Sequence, residues 1–405
     1  MTRFHHVASE RGAILINVGL ALFIWVGIAT FVVDYGVLWV SRHQVQNAAD
    51  AGALAGALTR AYDDFDDPPS GIGPTVQNVN SVVSSNLVWG AVAPAVTTFP
   101  CPPEVLAPRR CVRVDVYRNG ESGSTPLPTW FGRILGITSQ GVRATASAQT
   151  MIANGTPCLR PWAIPDAWVE GRAPAANFQR YGVGGVPLVP FDNYVPPDAT
   201  GPGTGYRFAT SNAARHDFGA SLALTFASDP TNQNPLVDPI TPGWVLPLDP
   251  VAGYVASVAA CNGESVEVGA QIPVSTTMPA AADFSGLYAA DSTAFWDGPT
   301  AAIHNSCAPT CAPFSPRLVA VAVFDTELYQ YRRITGNWAA CPPTRASCTP
   351  CPGGACASIV NIVGLFIDNA AGSVGTLTSY PGVIPSAPPK LTAQSSFLKA
   401  ITLVR

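Results

Sequence analysis

Charge is what this sequence has least of. Asp, Glu, Lys and Arg make up 12% of its 405 residues, and the formal net charge is −4. That excludes the clustered Lys/Arg face of a nucleic-acid binder. Histidine is also scarce: His5, His6, His43, His216 and His304 are the full set. Only His216 and His304 lie in the distal half, and no G-x-S-x-G elbow accompanies them, so a Ser-His-Asp hydrolase is not expected. His216 beside Asp217 reads as a surface hydrogen bond. There is no glycine-rich phosphate loop and no EF-hand loop. The acidic run Asp63, Asp64, Asp66, Asp67 reads as a solvated linker, and the stretch from Asp229 to Asp238 as a polar turn. Proline (39) and glycine (36) stay below the level of a low-complexity chain. No repeat of fixed period occurs, and no cysteine precedes Cys101.

What is present begins with residues 12–33, an apolar run without a charge. About 20 helical residues cross a bilayer. Residues 34–58 follow without a proline and are rich in alanine and leucine, which predicts the same helix continuing beyond the membrane. The apolar run exceeds the core of a signal peptide, and no small-x-small cleavage site follows it, so a retained anchor is expected. Asn17 is its one strongly polar side chain; it reads as lying near the headgroups, with a partner on another helix as the alternative. Arg3 and Arg11 on the short leading segment, against the acids after residue 34, favour a cytoplasmic N-terminus. Ten cysteines beyond residue 100 favour an oxidising compartment for the rest.

On the continuing helix, Ala48, Gly52 and Gly56 recur every four residues and share one face, a small-residue surface for close helix packing. Its partner is expected to be the chain's own sheet, with another helix of an assembly as the alternative. Residues 63–75 break the helix with the paired prolines Pro68 and Pro69. Cys111 to Tyr117 and residues 141–151 alternate apolar and polar, as strands do. VQNVNSVVSSNLVWG fits helix or strand, and LPTWFGRILGI fits a short amphipathic helix. Further along, PLVPF, WVLPL, ESVEVGAQIPV, RLVAVAVF, SIVNIVGLFI and FLKAITLV predict strands. With few helical periods between them, an antiparallel arrangement is expected.

Cys341, Cys348, Cys351 and Cys356 cluster, with Cys307 and Cys311 upstream. Cys348-x-x-Cys351 has zinc-ligand spacing, and a redox dithiol is a third reading. The proline-rich flanks and the oxidising compartment favour disulfides. Pairing near neighbours gives Cys341–Cys348, Cys351–Cys356, Cys307–Cys311 and Cys101–Cys111, and leaves Cys158 with Cys261. No catalytic, metal or cofactor site is expected.

The string RGAILINVGLALFIWVGIATFVVDYGVLWVSRHQVQNAADAGALAGA resembles the N-terminal segment of TadG-like proteins of the tight-adherence (Tad/Flp) pilus machinery. The carrying features are Arg11-Gly12, the apolar span, Asp34-Tyr35-Gly36, and the run from Gln46 to Ala57. WFGRILGITSQGVRATASA is similar to the segment that follows it there; PWAIPDAW, SPRLVAVAVFD and IVNIVGLFID are similar to longer members. The resemblance implies a single-pass protein of the bacterial inner membrane, N-terminus cytoplasmic and bulk extracytoplasmic, working in pilus assembly without enzymatic activity. Implied partners are other assembly proteins of the inner membrane and periplasm and the lipid bilayer, with self-association through the stalk helix as a further option and no nucleic acid. Two departures stand out. Asp283-Phe284-Ser285-Gly286 is the nearest string to the DxSxS metal loop of some longer members, and it does not match. Asn17 occupies the place of the pilin glutamate five residues after the cleavage glycine, which counts against prepilin processing.

The expected fold is α+β: a tail at 1–11, a transmembrane helix at 12–33, a helical stalk at 34–62, a small α+β pilin-like unit at 63–155, and a β-rich extracytoplasmic domain with disulfides at 156–405. The expected function is that of a membrane-anchored structural component of pilus assembly. A surface-exposed minor pilin or adhesin is the alternative, and a secreted-side hydrolase a distant one.

Overall fold

The computed structural model describes residues 11–62, 70–99, 101, 111–171, 177–208, 217–261, 263, 265–299, 301–308, 310–311, 314–383, 390–392 and 395–404. The tail before Arg11, the acidic run at 63–67 and His216 lie outside the described residues. The chain forms two compact units. The first takes Met1–Arg60, Pro68–Gln149 and Thr402–Arg405, and the second Ala61–Asp67 and Thr150–Ile401.

The first unit is built on one helix, α1 (Arg11–Tyr62). With no proline or capping residue to stop it, the helix runs unbroken for 52 residues, roughly 78 Å at the usual rise. Its environment changes once. From Ile14 to Val33 the large apolar side chains are exposed except the half-buried Val26, with Leu15, Leu20, Phe23, Trp25 and Phe31 among the exposed ones. From Asp34 onward one stripe is buried: Asp34, Val37, Ser41, Val45, Ala48, Ala49, Ala53 and Ala57. The spacing of three and four is that of a single helix face.

Helix α2 (Pro74–Ser85) and an antiparallel sheet cover that stripe. Proline occupies the first turn of α2, where its missing N–H costs nothing. Among the described residues this sheet has five strands, of which β1 (Ala95–Thr98), β2 (Cys111–Arg118) and β3 (Val142–Ile152) are antiparallel neighbours in that order. Val114 faces Ala146 across β2 and β3, and Val116 faces Ala95 across β2 and β1. The segment LPTWFGRILGI does not form the amphipathic helix its pattern suggests. It is a loop closed by a short pairing of Leu127–Pro128 with Ser139–Gln140, and it holds one 3-10 turn, Gly132–Leu135.

The second unit is an eight-stranded sheet among the described residues. Its strands are β4 (Leu159–Pro165), β5 (Ser221–Ala223), β6 (Thr225–Phe226), β7 (Trp244–Pro247), β8 (Gln271–Pro273), β9 (Leu318–Phe324), β10 (Cys356–Ile367) and β11 (Val374–Thr378). They run in the order β5-β11-β10-β9-β4-β7-β6, with β8 also on β10. The antiparallel expectation holds for β9 with β10 and β10 with β11. It fails for β4 with β9 and β6 with β7, which are parallel. A parallel pair needs a long crossover, and the chain between Pro165 and Leu318 supplies one. PLVPF forms no strand. Its two prolines cannot donate to a ladder, and only Pro187 makes a bridge, to Tyr181.

Both faces of this sheet are covered. Ala320, Ala322 and Phe324 of β9 enter one apolar cluster, and Val319, Val321 and Val323 enter the other. Burial on two sides removes any reason for alternate residues to be polar. After two short helices, α3 (Tyr254–Ala259) and α4 (Ala281–Ala290), a helix missing from the sequence reading, α5 (Thr326–Thr335), follows β9 directly.

Candidate functional site

The small-residue face of α1 is where the first unit closes. Ala48 is fully buried, and Gly52 and Gly56 are buried beside it. A Cβ on Gly52 would lie 2.6 Å from Val83 Cγ2 of α2, and one on Gly56 would lie 2.7 Å from Val112 Cγ1 of β2 and 2.8 Å from Val79 Cγ2 of α2. Glycine is required at both positions because two neighbouring elements press onto the helix backbone. Asn78 of α2 adds polar contacts, donating to the Ala55 carbonyl at 3.3 Å and to Thr59 Oγ1 at 2.8 Å. This face is therefore occupied by the chain's own elements, and the exposed ridge beside it carries Leu54 and Leu58.

Asp34 marks the point where exposure gives way to burial. Its Oδ1 accepts from the Trp130 N–H at 2.9 Å, and its Oδ2 from the Gly132 N–H at 2.6 Å. Gln140 donates to the Asp34 carbonyl at 3.0 Å. Gly132 tolerates this approach because a Cβ there would stand 3.0 Å from Asp34 Oδ2. The first acid after a long uncharged run was visible in the sequence; its partner loop, about a hundred residues on, was not.

The second unit holds a buried group of opposed charges at the end of β9. Asp325 caps α5, accepting from the Leu328 N–H at 2.9 Å. Arg345 grips both Asp325 oxygens and reaches Glu327 Oε2 at 3.2 Å. Glu327 Oε1 also meets Arg180 Nε at 2.7 Å and accepts from the Tyr181 hydroxyl at 2.8 Å. Asp325 and Glu327 are almost fully buried. Removing one partner from such a set strands the other's charge. Arg345→Ala is expected to destabilise the second unit by about 3–5 kcal/mol, read as a lower urea midpoint. Lysine should restore only part of this, because it cannot make the forked contact. An unchanged midpoint would show that the cluster carries no stability.

Beside this group, at the end of the neighbouring parallel strand β4, Asp166 is completely buried. Burial pushes its carboxyl up to about 8, with the charge of Asp325 adding to the rise. The N–H groups of Ala167 and Tyr206, at 2.9 and 3.2 Å, oppose it. Thr344 Oγ1 also donates to Glu327 Oε1 at 2.8 Å, and the arrangement is that of a polar clamp joining the ends of two strands.

Every cysteine is in a disulfide: Cys101–Cys111, Cys158–Cys261, Cys307–Cys311, Cys341–Cys348 and Cys351–Cys356. A disulfide sulfur is not a thiolate, so Cys348-x-x-Cys351 is neither a zinc site nor a dithiol here. The same holds for Cys307 and Cys311 near Asp291. Arg332 of α5 sits between two of the bridges, its guanidinium 3.4 Å from Cys351 Sγ and 3.5 Å from Cys348 Sγ, and donates to the Ala340 and Thr349 carbonyls. The region between Asp229 and Asp238 is a turn in which Asp238 accepts from the N–H groups of Ser228 and Asp229 and pairs with Arg333. Asp283 lies in the first turn of a helix, Ala281–Ala290, with its Oδ2 taken by the Ala280 N–H and the Tyr254 hydroxyl. Among the remaining histidines, His304 lies 3.6 Å from Asp297 on an exposed hairpin.

No curated protein and no solved structure matches this chain. A family model does match part of it, over residues 12–60: the Tad family, described as "Putative Flp pilus-assembly TadE/G-like". The match takes in the exposed apolar half of α1 and the buried small-residue half together, and it supports a role in pilus assembly. Residues 12–60, nearly all of the N-terminal helix, are thus similar to the TadE/G-like family.

Proposed function

We propose that the chain is a bitopic membrane component of Flp-type pilus assembly, with its N-terminus cytoplasmic and both folded units on the far side of the inner membrane. The observation that carries this reading is the switch along α1. Residues 14–33 carry no charge and most of their large apolar side chains are exposed, as in lipid-facing helices. The same helix acquires a packed protein face from Asp34 onward. Five disulfides in the remainder fit an oxidising compartment. The role is structural: α1 roots the body at the membrane, and the body meets other assembly proteins. Because Ala48, Gly52 and Gly56 are covered from within, self-association through the stalk would use the Leu54 and Leu58 ridge instead. A C-terminal phosphatase fusion should be active and a cytoplasmic reporter at the same point silent. Deletion of the gene should abolish sheared pili. An active cytoplasmic reporter, or normal piliation, would refute the proposal.

A further inference from the structure

The loop tied to Asp34 has a surface that water does not explain. Trp130 is 65% exposed, Ile134 66% and Ile137 53%. They lie within eight residues of chain, and Arg133 among them is also exposed. The loop is held in one conformation. Thr129 Oγ1 donates to the Ile137 carbonyl at 2.5 Å, and the Ile137 N–H to the Gly132 carbonyl at 2.9 Å. Gly136 takes a left-handed φ of 84° to close the turn. These apolar side chains are therefore held outward by a structured loop.

Position says what covers them. The loop hangs from Asp34 by two hydrogen bonds, and Asp34 is the first charge after residues 12–33. If those residues cross the bilayer, Asp34 stands at its edge, and so does the backbone of Trp130 and Gly132. On α1 the next exposed aromatics are Tyr35 and Trp39, about 6 Å apart along the axis. That separation fits one headgroup layer, roughly 5–8 Å deep. Tyr and Trp collect in this layer because each has an apolar ring and a polar tip. Arg133 on the loop and Arg42 on the helix, both exposed, offer charge to lipid phosphates.

The geometry points to a second membrane contact: residues 129–137 form a collar that inserts Trp130, Ile134 and Ile137 into the headgroup layer of the same bilayer that α1 crosses, with Asp34 as its tether. The inference rests on the anchored reading of α1. The collar fixes the depth and rotation of the helix at its exit, which one helix alone does not do. Its ligand class is a phospholipid interface, not a protein groove.

The test uses the full chain reconstituted in phospholipid vesicles. All native cysteines are paired, so Ile134→Cys, Leu20→Cys and Ser84→Cys each accept one environment-sensitive fluorophore. Vesicles carry a spin-label quencher either near the headgroup or near the acyl-chain end. A label at Leu20 should be quenched by the deep probe, a label at Ile134 by the shallow probe with blue-shifted emission, and a label at Ser84, exposed on α2, by neither. Asp34→Ala and the size-conserving Asp34→Asn should each weaken the Ile134 signal and leave the Leu20 signal intact. If Leu20 is quenched while Ile134 behaves like Ser84, the collar is wrong and the anchor stands. If Leu20 is not quenched, both fall. If the Asp34 variants leave the Ile134 signal unchanged, the tether is wrong.

Discussion

Replacing both Cys158 and Cys261 with serine is expected to cost the second unit about 5 kcal/mol, more than the loss of any other bridge. The bond joins positions 103 residues apart, and loop-closure entropy gives about 4.7 kcal/mol for a loop of roughly that length. The other four close separations of 10, 4, 7 and 5 residues, worth about 2–3 kcal/mol each by the same relation. Location adds to length. Cys158 immediately precedes β4, the central strand that pairs with β9 and β7. Cys261 lies just past a short helix, Tyr254–Ala259, whose Val258 carbonyl receives Arg160 at 2.8 Å. The comparison to make is the urea midpoint of the Cys158/Cys261 double-serine chain against that of the Cys307/Cys311 pair. Equal shifts in the two would defeat the argument from loop length.

The second large effect is a dependence on pH at Asp166. Its carboxyl is raised from 3.8 to about 8 by burial, with Asp325 contributing. The folded state therefore holds a proton that the unfolded state releases above about pH 4. Where the native state binds more protons, stability falls as pH rises. The contribution is fully present below pH 3.8, declines by about 1.4 kcal/mol per pH unit and levels off above the folded value. Asp166→Asn keeps the shape and cannot ionise. Its stability relative to the native chain should therefore improve steadily between about pH 5 and pH 8. A difference that stays constant across that window would show that Asp166 is ionised in the folded state.

How much of this could be read from the chain depends on what each side chain faces. The apolar half of α1 is legible because residues 12–33 run without a charge and are almost all apolar. The strands β2 and β3 are legible because their residues alternate. RLVAVAVF and SIVNIVGLFI read as central strands because both faces are buried. Helix α5 was illegible for a related reason: eight of its residues are buried, Glu327, Arg332 and Arg333 among them, so no polar face marks its period. Its signals were the cap at Asp325 and the left-handed Gly336 at its end. Strand β4 was hidden by Pro161 and Pro165, which usually argue against a strand. The collar was misread because TWFGRILGI has the apolar spacing of a helix, while Asp34 takes the N–H groups of Trp130 and Gly132. The five bridges join cysteines that sit close in sequence, except Cys158 with Cys261, whose proximity is a product of the fold.

The unbroken passage of α1 through Asp34 has a mechanical consequence. The buried stripe begins at the residue where the uncharged run ends, so no slack segment separates the first unit from the exposed half of the helix. A sideways load on that unit would act on the helix as on a lever, and any twist imparted to it would travel along the backbone. A flexible tether would absorb such a load, whereas this junction passes it on.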